Sequence, residues 1–144
     1  MMYKHIATNL MLVFISLNLH ISTVQALKVK INQQSFTLKK SNTQRELIQG
    51  LMYTKHLPSR RGMIFFFDSK NAHQVRMWMK NTLIPLDMLF IGPNHKIKCI
   101  FEQSKPNSLE VLSCPARIRA VIEINGGEAQ KYHIVPGMKI EFGD

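Results

Sequence analysis

The apolar positions of this chain recur mostly at every second residue, and their spacing predicts a succession of short strands. Leu27-Lys28-Val29-Lys30-Ile31 alternates apolar with basic residues, and Phe36-Thr37-Leu38 resumes the alternation after Asn32-Gln33-Gln34. One buried and one solvated face follow, so the two runs read as a half-buried hairpin. The period then changes. Thr43-Gln44-Arg45-Glu46 has capping-box spacing, and Leu47, Ile48, Leu51 and Met52 fall on one helical face, which predicts a short helix from about Thr43 to Tyr53. Beyond Pro58, Met63 to Phe67 is a continuous apolar run of strand length. Further strands are predicted at Val75 to Met79, Met88 to Ile91, Lys96 to Phe101, Arg119 to Ile124 and Met138 to Phe142. Pro85, Gly92-Pro93-Asn94, Gly126-Gly127 and Pro136-Gly137 punctuate them, and a helical turn fits Glu128 to Tyr132. Short strands at this spacing predict a mainly β, single compact domain, a sandwich or small barrel with one short helix near its start.

The first residues follow another pattern. Lys4 and His5 give a short positive start, Leu10 to Leu19 is almost wholly apolar, and Val24-Gln25-Ala26 offers a cleavage site. This is the layout of a secretory signal peptide over residues 1–26, leaving one β-rich domain over 27–144. The apolar run is short of the ~20 residues that cross a bilayer, so no stable span is expected after cleavage. The expected location is the periplasm or the exterior. No cysteine stands near the cut to carry a lipid.

A formal net charge of +10 ordinarily suggests nucleic acid. Here the positive residues are dispersed: Lys28, Lys30, Lys39 and Lys40, then Arg60 and Arg61, then Lys96 and Lys98. They fit solvated strand faces, and in an exported protein an anionic envelope surface is a more economical partner than nucleic acid. The two cysteines, Cys99 and Cys114, would meet an oxidising compartment, and their spacing allows a disulfide, the expectation here, with two free thiols as the alternative.

The polar chemistry concentrates in Trp78-Met79-Lys80-Asn81-Thr82-Leu83-Ile84-Pro85-Leu86-Asp87. Polar groups beside an apolar wall are either paired or kept for a ligand. In the first reading Asn81 and Thr82 cap a turn, and Asp87 pairs with Lys80 or Arg61. In the second, Lys80 and Asp87 face a ligand beside the aromatic platform of Trp78. Glu123 lies among Val121, Ile122 and Ile124, where a carboxylate needs a partner such as Lys80 or an arginine. Asp87 and Glu123 together are the candidate acid and base of a small hydrolase. Met77, Met79, Met88 and His73 raise copper ligation, but methionines at strand spacing usually fill a core, and no metal or other cofactor is expected. No nucleophile elbow and no phosphate-binding glycine loop occurs.

Several of these segments resemble the domain-of-unknown-function family numbered 192. The resemblance is carried by Gln49-Gly50-Leu51-Met52, Leu57-Pro58, Gly62-Met63-Ile64-Phe65 and the block from Trp78 to Asp87. It continues through Phe90-Ile91, Pro106, Ser108, Pro115-Ala116-Arg117, Glu123-Ile124-Asn125-Gly126-Gly127 and Ile134-Val135-Pro136-Gly137, covering roughly residues 28–143. Met77 stands where the family usually has Phe, and Met138 follows Gly137 where Asp is usual. The resemblance implies a jelly-roll-like β-sandwich, often exported, with Trp78, Lys80, Asn81, Asp87 and Glu123 as its polar cluster. It implies no activity, substrate or cofactor.

The expectation is a monomeric, exported, non-catalytic binding module for a polar or anionic envelope ligand. In it Lys80 supplies charge, Trp78 a stacking surface, and Asn81 and Asp87 the orienting hydrogen bonds, with Glu123 beside them. The alternative is the hydrolase using Asp87 and Glu123.

Overall fold

The computed structural model describes residues 26–68 and 75–143. The expected leader therefore lies, except for Ala26, outside the described residues, as does His73. Seven strands and two short helices are present among them: β1 Ala26–Ile31, β2 Gln34–Lys40, α1 Gln44–Gln49, β3 Arg61–Phe66, β4 Leu86–Ile91, β5 Ile97–Ser104, β6 Ala120–Asn125, α2 Glu128–Lys131 and β7 Ile140–Phe142.

Local chemistry explains these boundaries. The β1–β2 hairpin turns through Asn32 and Gln33, both with positive φ, as a two-residue hairpin loop requires. Thr43 caps α1 by accepting a hydrogen bond from the Glu46 N–H at 3.1 Å, and the Glu46 carboxylate accepts from the Asn42 N–H at 2.8 Å. Lys39 holds the same carboxylate in an ion pair at 2.9 Å. The helix stops at Gly50, which takes a positive φ, so Leu51 and Met52 lie beyond it rather than within it.

All seven strands hydrogen-bond into one sheet, in the order β5-β4-β6-β3-β2-β1-β7. A sandwich would divide them between two sheets; of the sandwich and the small barrel that the sequence left open, the single sheet comes nearer the second, as a curled half-barrel. The curl is strong enough for the two outermost strands to meet at one end. Lys96 bridges Lys139, and the N–H groups of Ile97 and Ile140 donate to the carbonyls of Met138 and His95, each at 2.9 Å. Neighbouring strands run antiparallel except β2 and β3, which are parallel and joined through α1.

Strand alternation sorts the core into two clusters. The concave face gathers residues from every strand, among them Val29, Phe36, Ile64, Leu89, Ile97, Ile122 and Ile140. On the opposite face Phe65, Met88, Phe90 and Val121 are covered by Leu51, Met79, Cys114 and Ile118. Strands β4 and β6 are thus buried on both sides, which accounts for their nearly unbroken apolar sequence. The expected strand Val75–Met79 is part of this cover. Its one ladder contact is the isolated bridge Met77–Leu112. Its alternation reflects packing onto a sheet, not membership in one. Cys99 on β5 and Cys114 in the covering segment form a disulfide, Cα to Cα 5.9 Å, which ties the cover to the sheet. No described helix is long and apolar enough to cross a membrane.

Candidate functional site

The residues expected to act together are distributed over three places. Asp87 is fully buried on β4. It pairs in register with Ile124 on the concave face, whereas Glu123, one residue earlier on β6, points to the covered face. Asp87 accepts hydrogen bonds from the backbone N–H groups of Gln103 at 2.7 Å, Gly127 at 3.0 Å and Ala129 at 2.8 Å. It therefore joins β5 and the first turn of α2 to β4, and Gly127, which has no side chain to cap that helix, is served by it. The expected ion pairs of Asp87 with Lys80 or Arg61 do not form. Backbone donors take their place.

Asn81 occupies the turn after Trp78-Met79-Lys80 with φ of 54°, a conformation that asparagine tolerates better than most residues. Its side-chain amide donates to the Tyr53 hydroxyl at 2.9 Å, and its carbonyl accepts from the Tyr53 N–H at 2.8 Å. Thr82 donates to the Lys80 carbonyl. These contacts are those of a turn cap. Lys80 extends over the Trp78 ring, its ammonium 5.2 Å from the centroid, and makes no salt bridge with Asp87 or Glu123.

Trp78 and Glu123 share a cavity. They line a cavity of about 260 Å³ between α1, the Gly50–Met52 segment and the cover, together with Leu47, Phe65, Arg76 and Thr82. Glu123 contributes its carboxylate, 4 % exposed as a residue. Burial raises its pKa from 4.5 to about 7, only partly offset by a hydrogen bond from the Leu51 backbone. Its Oε2 has no hydrogen-bond partner. Gly50 permits the close approach: a Cβ there would lie 3.3 Å from the Phe65 ring and 3.4 Å from Glu123 Oε2, and its φ is +50°. Trp78 is 43 % exposed, so it forms a wall open to solvent. The arrangement can accept a hydrogen bond or a positive charge at its floor, and it can hold an apolar body against Leu47 and Phe65.

Over residues 25–142 the sequence matches the family DUF192, described as "Uncharacterized ACR". The chain belongs to DUF192. Two solved structures resemble this DUF192 protein over most of its length. A protein of unknown function from Novosphingobium aromaticivorans is 32 % identical, with a TM-score of 0.77 over 85 % of this chain and 89 % of its own. A Sinorhizobium meliloti protein described as a candidate transcription regulator is 30 % identical, with a TM-score of 0.76 over 83 % and 95 % of the two chains. No curated protein matches the chain.

Sequence reasoning missed three parts of the DUF192 cavity and one further acid. Gly50 had a readable signal, a glycine after a capped helix. Arg76 had none, because the segment carrying it was read as a sheet strand, and Thr82 was read only as a turn cap. Glu128, buried on α2, accepts from Ser59 at 2.8 Å and the Arg60 N–H at 2.9 Å through Oε1, while its Oε2 has no partner. It does not line the Glu123 cavity. Among the described residues no cluster of three or more His, Cys, Asp or Glu side chains is arranged to hold a metal ion. Met79 and Met88 are core filler, with Met77 packed against them.

Proposed function

We propose that this DUF192 protein is an exported, monomeric, non-catalytic binding domain that holds a small polar ligand in the Glu123 cavity. One observation carries the reading: a buried carboxylate oxygen without a partner lines a cavity whose wall is a half-exposed tryptophan. Leaving such a group unpaired costs stability, and a ligand bearing a hydrogen-bond donor would satisfy it. Trp78 supplies the contact surface, Glu123 the polar anchor and Arg76 a charge at the cavity wall. Asn81 shapes the turn that holds Trp78, and Asp87 acts as a fold anchor.

An anionic envelope surface remains the partner we assign to the exterior, where Lys28 and Lys30 are exposed on β1. The cavity floor is acidic and takes the opposite chemistry. Nucleic acid is not part of the proposal, because the cations alternate along strand faces and Lys39 is engaged by Glu46. The hydrolase alternative is disfavoured by Asp87 and Glu123 facing opposite sides of the sheet.

A thermal-shift panel of sugars, nucleotides, amines, amino acids and peptidoglycan fragments tests the reading against wild type and Trp78→Ala. The expected result is stabilisation by at least one class, lost in the variant. Uniform silence across the panel, or stabilisation unaffected by Trp78→Ala, overturns it.

A further inference from the structure

The Glu123 cavity changes character from floor to mouth. At the floor stands the unpartnered Oε2 of Glu123. Above it the walls are apolar, built from Leu47, Phe65 and Met77. Arg76 and Trp78 are exposed where Glu123 is buried, so they stand at the solvent side, and with Met77 they also line an adjoining cavity of about 320 Å³ that includes Val111. Lys80, exposed and lying over the Trp78 ring, adds a second positive charge nearby. The sequence of environments is acid, apolar, basic.

Each simpler ligand fits only part of that sequence. An anion at the floor would meet Glu123. A cation without a counter-charge would satisfy Glu123 but face Arg76 at the opening. An uncharged apolar molecule would leave Oε2 buried and unpaired. A molecule with opposite charges at its two ends, separated by methylenes, meets all three environments. The volume of about 260 Å³ equals that of roughly nine liquid waters at ~30 Å³ each, enough for a short chain.

We infer that the cavity binds a bipolar chain molecule, an alkylammonium with an anionic group at its far end, the ammonium on Glu123 and the anion on Arg76. This inference rests on the binding reading above and names the ligand class for the same site. Both end contacts are charge-assisted hydrogen bonds, and the chain between them replaces water against Leu47 and Phe65.

Trp78 is the sole tryptophan of the chain, so its emission reports occupancy of this cavity without a label. The probes are ε-aminocaproate, hexylamine and hexanoate, titrated at neutral pH. ε-Aminocaproate is expected to change the emission saturably, with the two single-charge analogues weaker by about tenfold or more. Glu123→Gln and Arg76→Ala are each expected to weaken ε-aminocaproate by a similar factor while the circular dichroism spectrum stays that of wild type. Should Glu123→Gln fail to fold, the ranking of the three probes on wild type and the Arg76→Ala titration still decide. If either analogue binds as well as ε-aminocaproate, or neither variant changes its affinity, the ligand class is wrong while the occupied cavity keeps the binding reading. If none of the three moves the emission, the ligand class falls; if the wider thermal-shift panel is also silent, the binding reading falls with it.

Discussion

Asp87 and Glu123 stand on adjacent strands, one residue out of register, and are both almost completely buried, yet their surroundings are opposite. Asp87 points to the concave face and is saturated by three backbone N–H groups from two other parts of the chain. Glu123 points to the covered face, has a hydrogen bond from Leu51 alone to offset its burial, and keeps one oxygen unpaired beside a cavity. The difference shows how one sheet separates a structural acid from an available one. A buried carboxylate surrounded by donors fixes the fold. One left short of donors is a cost unless something else supplies them.

The largest expected effect comes from removing the saturated acid. Asp87→Ala should leave three backbone donors unserved and unmoor the start of α2, at a cost of about 3–5 kcal/mol. Urea denaturation measures it. A loss comparable to that of a surface substitution would mean that the donors find water, and the contrast between the two acids would weaken.

Removing the unsaturated acid should act in the other direction. Glu123 has its folded pKa raised from 4.5 to about 7. Between those values the folded protein retains a proton that the unfolded chain has released, so stability falls as pH rises through the window and levels off above it. Integrated over the window, the penalty is about 3 kcal/mol. Glu123→Gln, which can keep the contact to Leu51, should flatten this slope. Above pH 7 it should be more stable than the parent by up to that amount. Denaturation midpoints from pH 4 to 8 test the sign, and a variant less stable than its parent at pH 8 would show that the carboxylate has a partner after all.

The smallest effect is expected at Lys80, exposed and in contact with the Trp78 ring. Lys80→Ala should change stability by no more than about 0.5 kcal/mol, as for ordinary surface positions. It should, however, shift Trp78 emission by removing the cation over its ring. A destabilisation as large as that of Asp87→Ala would restore Lys80 to the buried ion network expected from the sequence.

How much of this was legible beforehand differed by scale. The β1–β2 hairpin was written in its alternation, and the capping chemistry at Thr43 located the start of α1. The apolar runs of β3, β4 and β6 marked strands but not their arrangement. Burial on both faces looks the same whether the second face meets another sheet or a covering loop, so sandwich and half-barrel were indistinguishable. The same ambiguity made Val75–Met79 look like a strand, although it lies on the sheet. At the site, Trp78 and Glu123 were noticed as polar-apolar anomalies, and the structure brings them to one cavity. Pairing them with Lys80 and Asp87 required knowing which face each strand presents, and face parity is fixed by register between segments far apart in sequence. The saturation of Asp87 was invisible for a simpler reason. Its partners are backbone groups, which leave no mark in side-chain identity.

The place of β6 has a consequence for the order of assembly. It is the sixth strand in the chain but the third in the sheet, between β4 and β3. Until Ala120–Asn125 has emerged, the earlier strands form two separate ribbons, β5-β4 and β3-β2-β1, each ending in a bare apolar edge. The molecule thus cannot close residue by residue as it is made. The segment from Ala120 onward acts as a keystone, and a chain cut before it would present two adhesive edges instead of a smaller domain.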